Sequence, residues 1–259
     1  MGRFDGFLIC SDIDGTFALR KAVPERNLEA VRYFQAEGGI FILATGRYAG
    51  YSDDLPVRVN GPLITENGAR IYDPALGRTL WQFPLDGSGP LWEWIDGQNV
   101  SYVALRFTDG PVIAESGKVV QTVLDHPAGQ ELLQIICGGF SSPEQALAFR
   151  DCARETFGAR YDIRRSWETG VEFISPLGGK GNCLNCLRSI LGEKIHTFIA
   201  IGDYENDLSM LRTADRAFTP ANACEEVLAA GPAVLCPCSA GAVGELIEIL
   251  DREISEGKA

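Results

Sequence analysis

Four short stretches of the 259-residue chain carry side chains suited to a single reaction. SDIDGTF, residues 11–17, sets Asp12 and Asp14 one residue apart and follows them with Gly15 and Thr16. The others are Thr45-Gly46-Arg47, Gly179-Lys180-Gly181 and GDYEND from Gly202 to Asp207. In an extended chain Asp12 and Asp14 point to the same side, so both are expected to face one small site. Crowded carboxylates ionise at high cost unless a cation sits among them. Asp12, Asp203 and either Asn206 or Asp207 offer only oxygen ligands, which suits Mg²⁺ with several retained waters and not zinc or copper. Mg²⁺ in turn implies a phosphate. Lys180 supplies a point charge for one phosphoryl oxygen and Thr45 a hydroxyl for another, while the glycines let backbone N–H groups approach the anion. Together these are the parts that stabilise a phosphoryl group in transfer.

Plainer readings compete at each position. An Asp-Gly pair is by itself most often a surface turn. A calcium loop starting at Asp12 fails on spacing, because Phe17 stands where its glycine belongs and Val23 where its glutamate belongs. Arg47 either reaches substrate or pairs with a neighbouring acid. Asn67, in ITENGA (64–69), either lines the site or serves an Asn-Gly turn. Glu172 reads as a solvated charge or a hinge residue, and His126 and His196 fit no catalytic spacing.

The elements that must position these groups are legible as short apolar runs. FLIC (7–10), GIFILAT (39–45), GPLIT (61–65) and HTFIAIG (196–202) read as strands buried on both faces. Between the first two, VPERNLEAVRYFQAEGG places Leu28, Val31 and Phe34 on one helical face, with Pro24 near its start and glycines at its end. That is a β-α-β unit of a parallel sheet. Gly241 to Ile254 repeats Val243, Leu246, Ile247 and Leu250 with helical spacing. Ligands gather outside the carboxyl ends of such strands, and the four chemical stretches lie at or near those ends. The middle of the chain differs: VSYVALRF and PVIAES alternate, SPEQALAFRDCARETFG is helix-like, and ARYDIRRSWETGVEFIS suits a hairpin. The expected organisation is a discontinuous α/β core, 1–80 and 175–259, with an inserted α+β unit at 81–174. All four tryptophans fall within the insert and are expected to build a second small core.

The chain carries 23 Lys+Arg against 35 Asp+Glu, a net charge of −12, which disfavours nucleic acid and anionic membranes as partners. No stretch approaches 18 uninterrupted apolar residues, so a soluble, cytosolic protein is expected. The eight cysteines are spread through apolar segments and read as reduced, buried thiols. Cys183-x-x-Cys186 resembles a zinc spacing but sits in an apolar helical repeat. No sequence feature speaks to oligomeric state.

DIDGT, TGR, the lysine of GGKG and GDYEND, in this order and at these distances, resemble the four motifs of the haloacid dehalogenase-like superfamily. The insert after the second motif, ITENGA, and VEFISPLGGKGNCL before the fourth resemble its Cof-like, type IIB branch of sugar-phosphate phosphatases. The resemblance spans essentially the whole chain. It implies a Rossmann-like parallel-sheet core with an inserted α+β cap that selects the substrate and closes over the site. It further implies that Asp12 is the nucleophile and becomes an aspartyl phosphate, and that Asp14 is the acid and then the base. The metal would be held by Asp12, the backbone carbonyl of Asp14 and Asp203, with Asn206 and Asp207 beside it. Thr45 and Lys180 would hold the phosphoryl oxygens, and Gly46, Arg47 and Asn67 would complete the substrate side. An acid at position 14 separates phosphatases and phosphomutases from dehalogenases, which protonate no alkoxide. The activity expected is Mg²⁺-dependent hydrolysis of a small phosphorylated metabolite, with a phosphosugar mutase and a non-catalytic phosphosugar sensor as the rival readings.

Overall fold

The computed structural model describes residues 2–20, 22–86, 89–98 and 100–258. In chain order, β1 (Phe7–Ser11), α1 (Glu25–Ala36) and β2 (Ile40–Leu43) open the molecule, followed by β3 (Leu63–Thr65), β4 (Arg70–Asp73) and β5 (Arg78–Gln82). A second group runs α2 (Gly89–Asp96), β6 (Tyr102–Phe107), β7 (Gly110–Ala114), α3 (Val119–Asp125), β8 (Leu132–Gly138), α4 (Pro143–Phe157), β9 (Asp162–Trp167) and β10 (Gly170–Ile174). The chain closes with α5 (Lys180–Leu191), β11 (Thr197–Ile201), α6 (Leu208–Thr213), β12 (Arg216–Pro220), α7 (Glu225–Ala229), β13 (Ala233–Leu235) and α8 (Ala242–Ser255). Two compact units result: Met1–Leu80 with Lys180–Ala259, and Trp81–Gly179. Among the described residues, no helix is long and apolar enough to cross a membrane.

The first unit is built on a parallel sheet of order β13-β12-β11-β1-β2. Its strands β1, β2 and β11 read as near-continuous apolar runs because both of their faces are covered. On one face Phe7, Ile9, Phe41, Ile199, Ile201 and Phe218 join Leu28, Val31 and Phe34 of α1 and Val243, Leu246, Ile247 and Leu250 of α8 in one core. Strand alternation sends Cys10 to the other face, where its Sγ lies 3.3 Å from the Met210 sulfur of α6. Asn27, fully buried in α1, uses both ends of its amide: Nδ2 donates to the Phe17 carbonyl at 2.9 Å, and Oδ1 accepts from the Gly244 N–H at 2.8 Å. One side chain thereby ties the loop after β1 to the start of α8. Strand order reverses between β1 and β11, which makes the carboxyl ends of these two neighbours the natural ligand crevice.

One strand differs from the sequence reading. β3 is not one of the five strands of the parallel sheet: it pairs antiparallel with β4 in a three-stranded sheet, β3-β4-β5, and meets the chain after β2 through a parallel Ala44–Ile64 bridge and a Thr45 N–H to Ile64 carbonyl bond. The turn that follows reverses the chain at once: Glu66, Asn67 and Gly68 all take left-handed φ of 48°, 55° and 89°.

The second unit is a five-stranded antiparallel sheet of order β7-β6-β8-β10-β9. Leu91 and Ile95 of α2, Val119 of α3 and Ala146, Phe149 and Ala153 of α4 pack with inward residues of the sheet. Only two of the four tryptophans serve this core. Trp94 packs on Phe149 and Phe157 at 5.1 and 5.6 Å and Trp92 lies against it, whereas Trp81 and Trp167 are exposed. Glu172 is neither a solvated charge nor a hinge: it is buried in the middle of β10 and accepts a 2.6 Å hydrogen bond from Gln134 Nε2. Residues 175–179 fall with this unit, the return to the first coming at Lys180.

Asn27→Ala leaves a buried carbonyl and a buried N–H unpaired together. Unpaired groups of this kind cost about 1–3 kcal/mol each, so the variant is expected to lose about 2–4 kcal/mol in urea unfolding at unchanged m-value.

Candidate active site

β1 and β11 run side by side in register, Ser11 opposite Ile201, and the ladder continues one step further as the Asp12 N–H donates to the Ile201 carbonyl at 2.9 Å. Asp12 therefore leaves the sheet at a fixed position, buried at its carboxyl edge. Past β11, Gly202 lets the chain turn tightly, since a Cβ there would collide with the Asp207 side chain. Asp207 Oδ2 accepts from the N–H groups of Asp203 and Tyr204 at 2.9 and 3.1 Å, which fixes the GDYEND turn from within. Its Oδ1 receives the Lys180 ammonium at 2.6 Å, and the same ammonium lies 2.6 Å from Asp12 Oδ1. Lys180 opens α5 and is wholly buried, and Gly181 after it sits so close to Ser209 that any side chain would strike that residue's backbone.

The electrostatics of this cluster are unbalanced. Asp12, Asp203 and Asp207 bring carboxylate oxygens within 4.8 Å of one another, against one ammonium. Burial alone would push the Lys180 ammonium toward neutrality, but Asp12 and Asp207 reverse this and hold it charged. Burial pushes the Asp12 carboxyl well above the usual carboxylate range, and the Asp207 and Asp203 charges add to it despite Lys180. Burial and the neighbouring Asp207 raise Asp203 from 3.8 to about 7. Carboxyls that resist ionisation at this density, offering hard oxygen donors alone, fit a divalent cation.

The remaining residues singled out by sequence form two groups around this centre. Asp14 is half exposed and turns its carboxylate to Arg47, which engages both oxygens: Nε to Oδ2 at 3.0 Å and Nη2 to Oδ1 at 3.3 Å. The Arg47 guanidinium lies 4.7 Å over the Tyr51 ring. Arg47 therefore pairs with a neighbouring acid. Asp14 does not follow Asp12 by simple strand alternation into the carboxylate cluster. β1 ends at Ser11, and from Ile13 the chain folds into a turn in which the N–H groups of Thr16, Phe17 and Ala18 all reach back to the Ile13 carbonyl. Asp14 is absent from the carboxylate cluster for that reason.

The second group comes from the loops after β2 and β3. Thr45 is buried, donates its N–H to the Ile64 carbonyl and accepts the Arg47 N–H on Oγ1 at 3.1 Å. Asn67 donates its N–H to the Thr45 carbonyl and accepts from Asn206 Nδ2 on its own Oδ1 at 2.9 Å. A Cβ on Gly46 would come to 3.0 Å from the Asn67 amide. Left-handed backbone costs about 1–2 kcal/mol at Glu66 and less at Asn67, whose short polar side chain tolerates it, and the turn places the Asn67 amide against Asn206. Sequence reading passed over Thr16, whose hydroxyl donates to Asp203 Oδ1 at 2.7 Å. The signal was present as the residue after Asp14-Gly15, but a hydroxyl two places past an acid has no recognisable role until the strand that carries Asp203 is placed beside it.

A family model described as haloacid dehalogenase-like hydrolase matches residues 9–247. The chain belongs to the haloacid dehalogenase-like hydrolases. Among its relatives, the HMP-PP phosphatase of Serratia proteamaculans is 29% identical over 83% of this chain and 84% of its own. The phosphoglycolate phosphatase of Natronomonas pharaonis is 26% identical over 93% and 95%, and a 5-amino-6-(5-phospho-D-ribitylamino)uracil phosphatase of Escherichia coli is 27% identical over 86% and 88%. Among solved structures, a haloacid dehalogenase-like hydrolase from B. subtilis superimposes with a TM-score of 0.80 at 21% identity, covering 93% of this chain and 98% of that one.

The raised carboxyl of Asp203 predicts a pH dependence for the metal-free protein. Its folded form binds the proton more tightly than its unfolded form, so its contribution to stability is complete below about pH 4 and is lost as pH rises through about 7. The melting temperature of chelator-treated protein is expected to fall between pH 5 and 7 by more than that of Asp203→Asn. Equal slopes in thermal melts of the two proteins would contradict the assignment.

Proposed function

We propose that this phosphatase hydrolyses the monoester of a small phosphorylated metabolite, of the sugar-phosphate class, through an aspartyl phosphate on Asp12. The observation that carries the reading is the buried Lys180 ammonium, 2.6 Å from both Asp12 and Asp207, in a carboxylate cluster at the sheet's reversal point. Lys180 engages Asp12 Oδ1 and leaves Oδ2 to attack phosphorus. As the bond from Oδ2 to phosphorus forms, the bond from phosphorus to the ester oxygen breaks, and Asp14 delivers a proton to the departing alkoxide. In the second half, Asp14 takes a proton from water. The resulting oxygen attacks the phosphorus, and the Asp12 carboxylate departs as inorganic phosphate forms. The two carboxylates stand in different surroundings, Asp12 buried against an ammonium and Asp14 half exposed against a guanidinium, as different roles require.

Thr45 Oγ1 and the Lys180 ammonium are the groups we assign to the phosphoryl oxygens, with Gly46 and Asn67 completing that wall and Arg47 positioned to meet the substrate or to hold Asp14. Asp12, Asp203 and the Asp14 backbone carbonyl would hold Mg²⁺, with Asn206 and Asp207 beside it. When bound, Mg²⁺ supplies neutralisation of the charge on the transferring oxygens. The second unit, Trp81–Gly179, is the cap to which we assign the choice of leaving group.

Wild-type protein with Mg²⁺ is expected to release inorganic phosphate from hexose phosphates and from a generic aryl phosphate, and a chelator is expected to stop it. Asp12→Asn is expected to reduce release to background while circular dichroism and melting behaviour remain those of a folded protein. Undiminished turnover by the variant rejects Asp12 as nucleophile. Isomerised sugar phosphate without release of phosphate rejects hydrolysis in favour of a mutase.

A further inference from the structure

The loop tip that carries Asp14 is held from outside by a residue that none of the four chemical stretches contains. Asn222 follows β12, the strand two places from β1, and its side chain is exposed. Both ends of its amide are engaged: Nδ2 donates to the Gly15 carbonyl at 2.8 Å, and Oδ1 accepts the Cys238 N–H at 2.7 Å. The amide orientation is fixed by these partners, because a carbonyl only accepts and a backbone N–H only donates. Asn222 thus joins loops at the carboxyl ends of β1, β12 and β13.

The geometry matters because of where the tie falls. The root of the loop is secured by bonds to the Ile13 carbonyl, by Asn27 on the Phe17 carbonyl and by Thr16 on Asp203. Its tip is Asp14-Gly15. Gly15 takes a φ of 91°, and a Cβ there would collide with the Asp203 carboxylate, so the tip lies directly against the carboxylate cluster. The Gly15 N–H is taken by the Ala18 carbonyl at 2.9 Å, inside the loop. The Gly15 carbonyl is taken by Asn222. The Gly15 N–H belongs to the Asp14–Gly15 peptide and the Gly15 carbonyl to the Gly15–Thr16 peptide, so these two bonds fix the planes on either side of Gly15, and with them the direction in which the Asp14 side chain leaves the chain. Arg47 acts on the carboxylate; Asn222 acts on the backbone beneath it.

We infer that Asn222 is a positioning residue for the acid-base carboxylate Asp14, acting through the Gly15 carbonyl. The inference rests on the role proposed for Asp14 above. A proton donor contributes most where the leaving alkoxide is a poor leaving group and little where the leaving group departs unaided. Misplacing the donor should therefore discriminate between substrates, whereas general loosening of the site should slow all of them alike.

The test is kcat/KM, which reports phosphoryl transfer to Asp12, for wild type, Asn222→Ala and Asn222→Asp across aryl phosphates of graded leaving-group acidity. Asn222→Asp keeps an acceptor for the Cys238 N–H and cannot donate to Gly15. Both variants are expected to lose about tenfold or more on phenyl phosphate and no more than about twofold on a dinitrophenyl phosphate, with the loss graded between them. A loss of equal size on every substrate, or an Asn222→Asp enzyme that matches wild type throughout, overturns the inference while leaving the phosphatase reading intact. Absence of phosphate release by the wild-type enzyme overturns that reading and this inference with it.

Discussion

A fully buried ammonium shared by two carboxylates is the constraint around which the catalytic unit is arranged. Lys180 cannot be removed from water without its two partners, and Asp12 and Asp207 cannot lie so near each other without Lys180. Each comes from a different part of the chain: the end of β1, the turn after β11 and the start of α5. The triad can therefore exist only when the sheet is assembled and the helix is docked. Asp207 shows how closely structure and charge are joined here, since one of its oxygens caps the turn that bears Asp203 while the other receives the lysine.

The same constraint explains why the cluster retains an appetite for positive charge. Lys180 offsets part of the field of three carboxylates, and burial keeps Asp12 and Asp203 reluctant to ionise. Carboxylates alone would be a poor place for a phosphate. A site of this kind becomes receptive to an anion only when a further cation is present, so on the proposed reading metal and substrate binding would be linked through electrostatics.

Around this rigid centre lies a less deeply buried group. Asp14 projects from a turn, not from a strand, and its setting is determined by Arg47 on the carboxylate and by Asn222 on the adjoining Gly15 carbonyl. The contrast is physically sensible. It suits the roles proposed above: a nucleophile gains from a fixed, desolvated position at the sheet edge, while a group that must take and release protons gains from access to water. Strain is placed similarly: the left-handed residues Glu66 and Asn67 sit in the turn that delivers an amide to Asn206.

Much of this was already written in the order of residues. Continuous apolar runs ending in Asp, Thr or Gly identify buried parallel strands and the chemistry at their ends, because a strand covered on both faces has no polar alternation and its first free residues lie at the crevice. The helices α1 and α8 follow from periodicity in the same way. Other features depended on the assembled fold. The Asn67-Gly68 turn after GPLIT was legible as an Asn-Gly pair, but the left-handed backbone at Glu66, which no propensity favours, and the antiparallel pairing of β3 with β4 were not. Glu172 and the exposed Trp81 and Trp167 took their places from sheet register and packing. The opposition of Arg47 to Asp14, of Thr16 to Asp203 and of Asn222 to Gly15 links residues 33, 187 and 207 positions apart. Sequence determines which groups are present and at which strand ends; only the tertiary structure decides which of them meet, because hydrogen bonds and ion pairs act over a few ångströms and adjacent strand ends are brought together by the sheet, not by the chain.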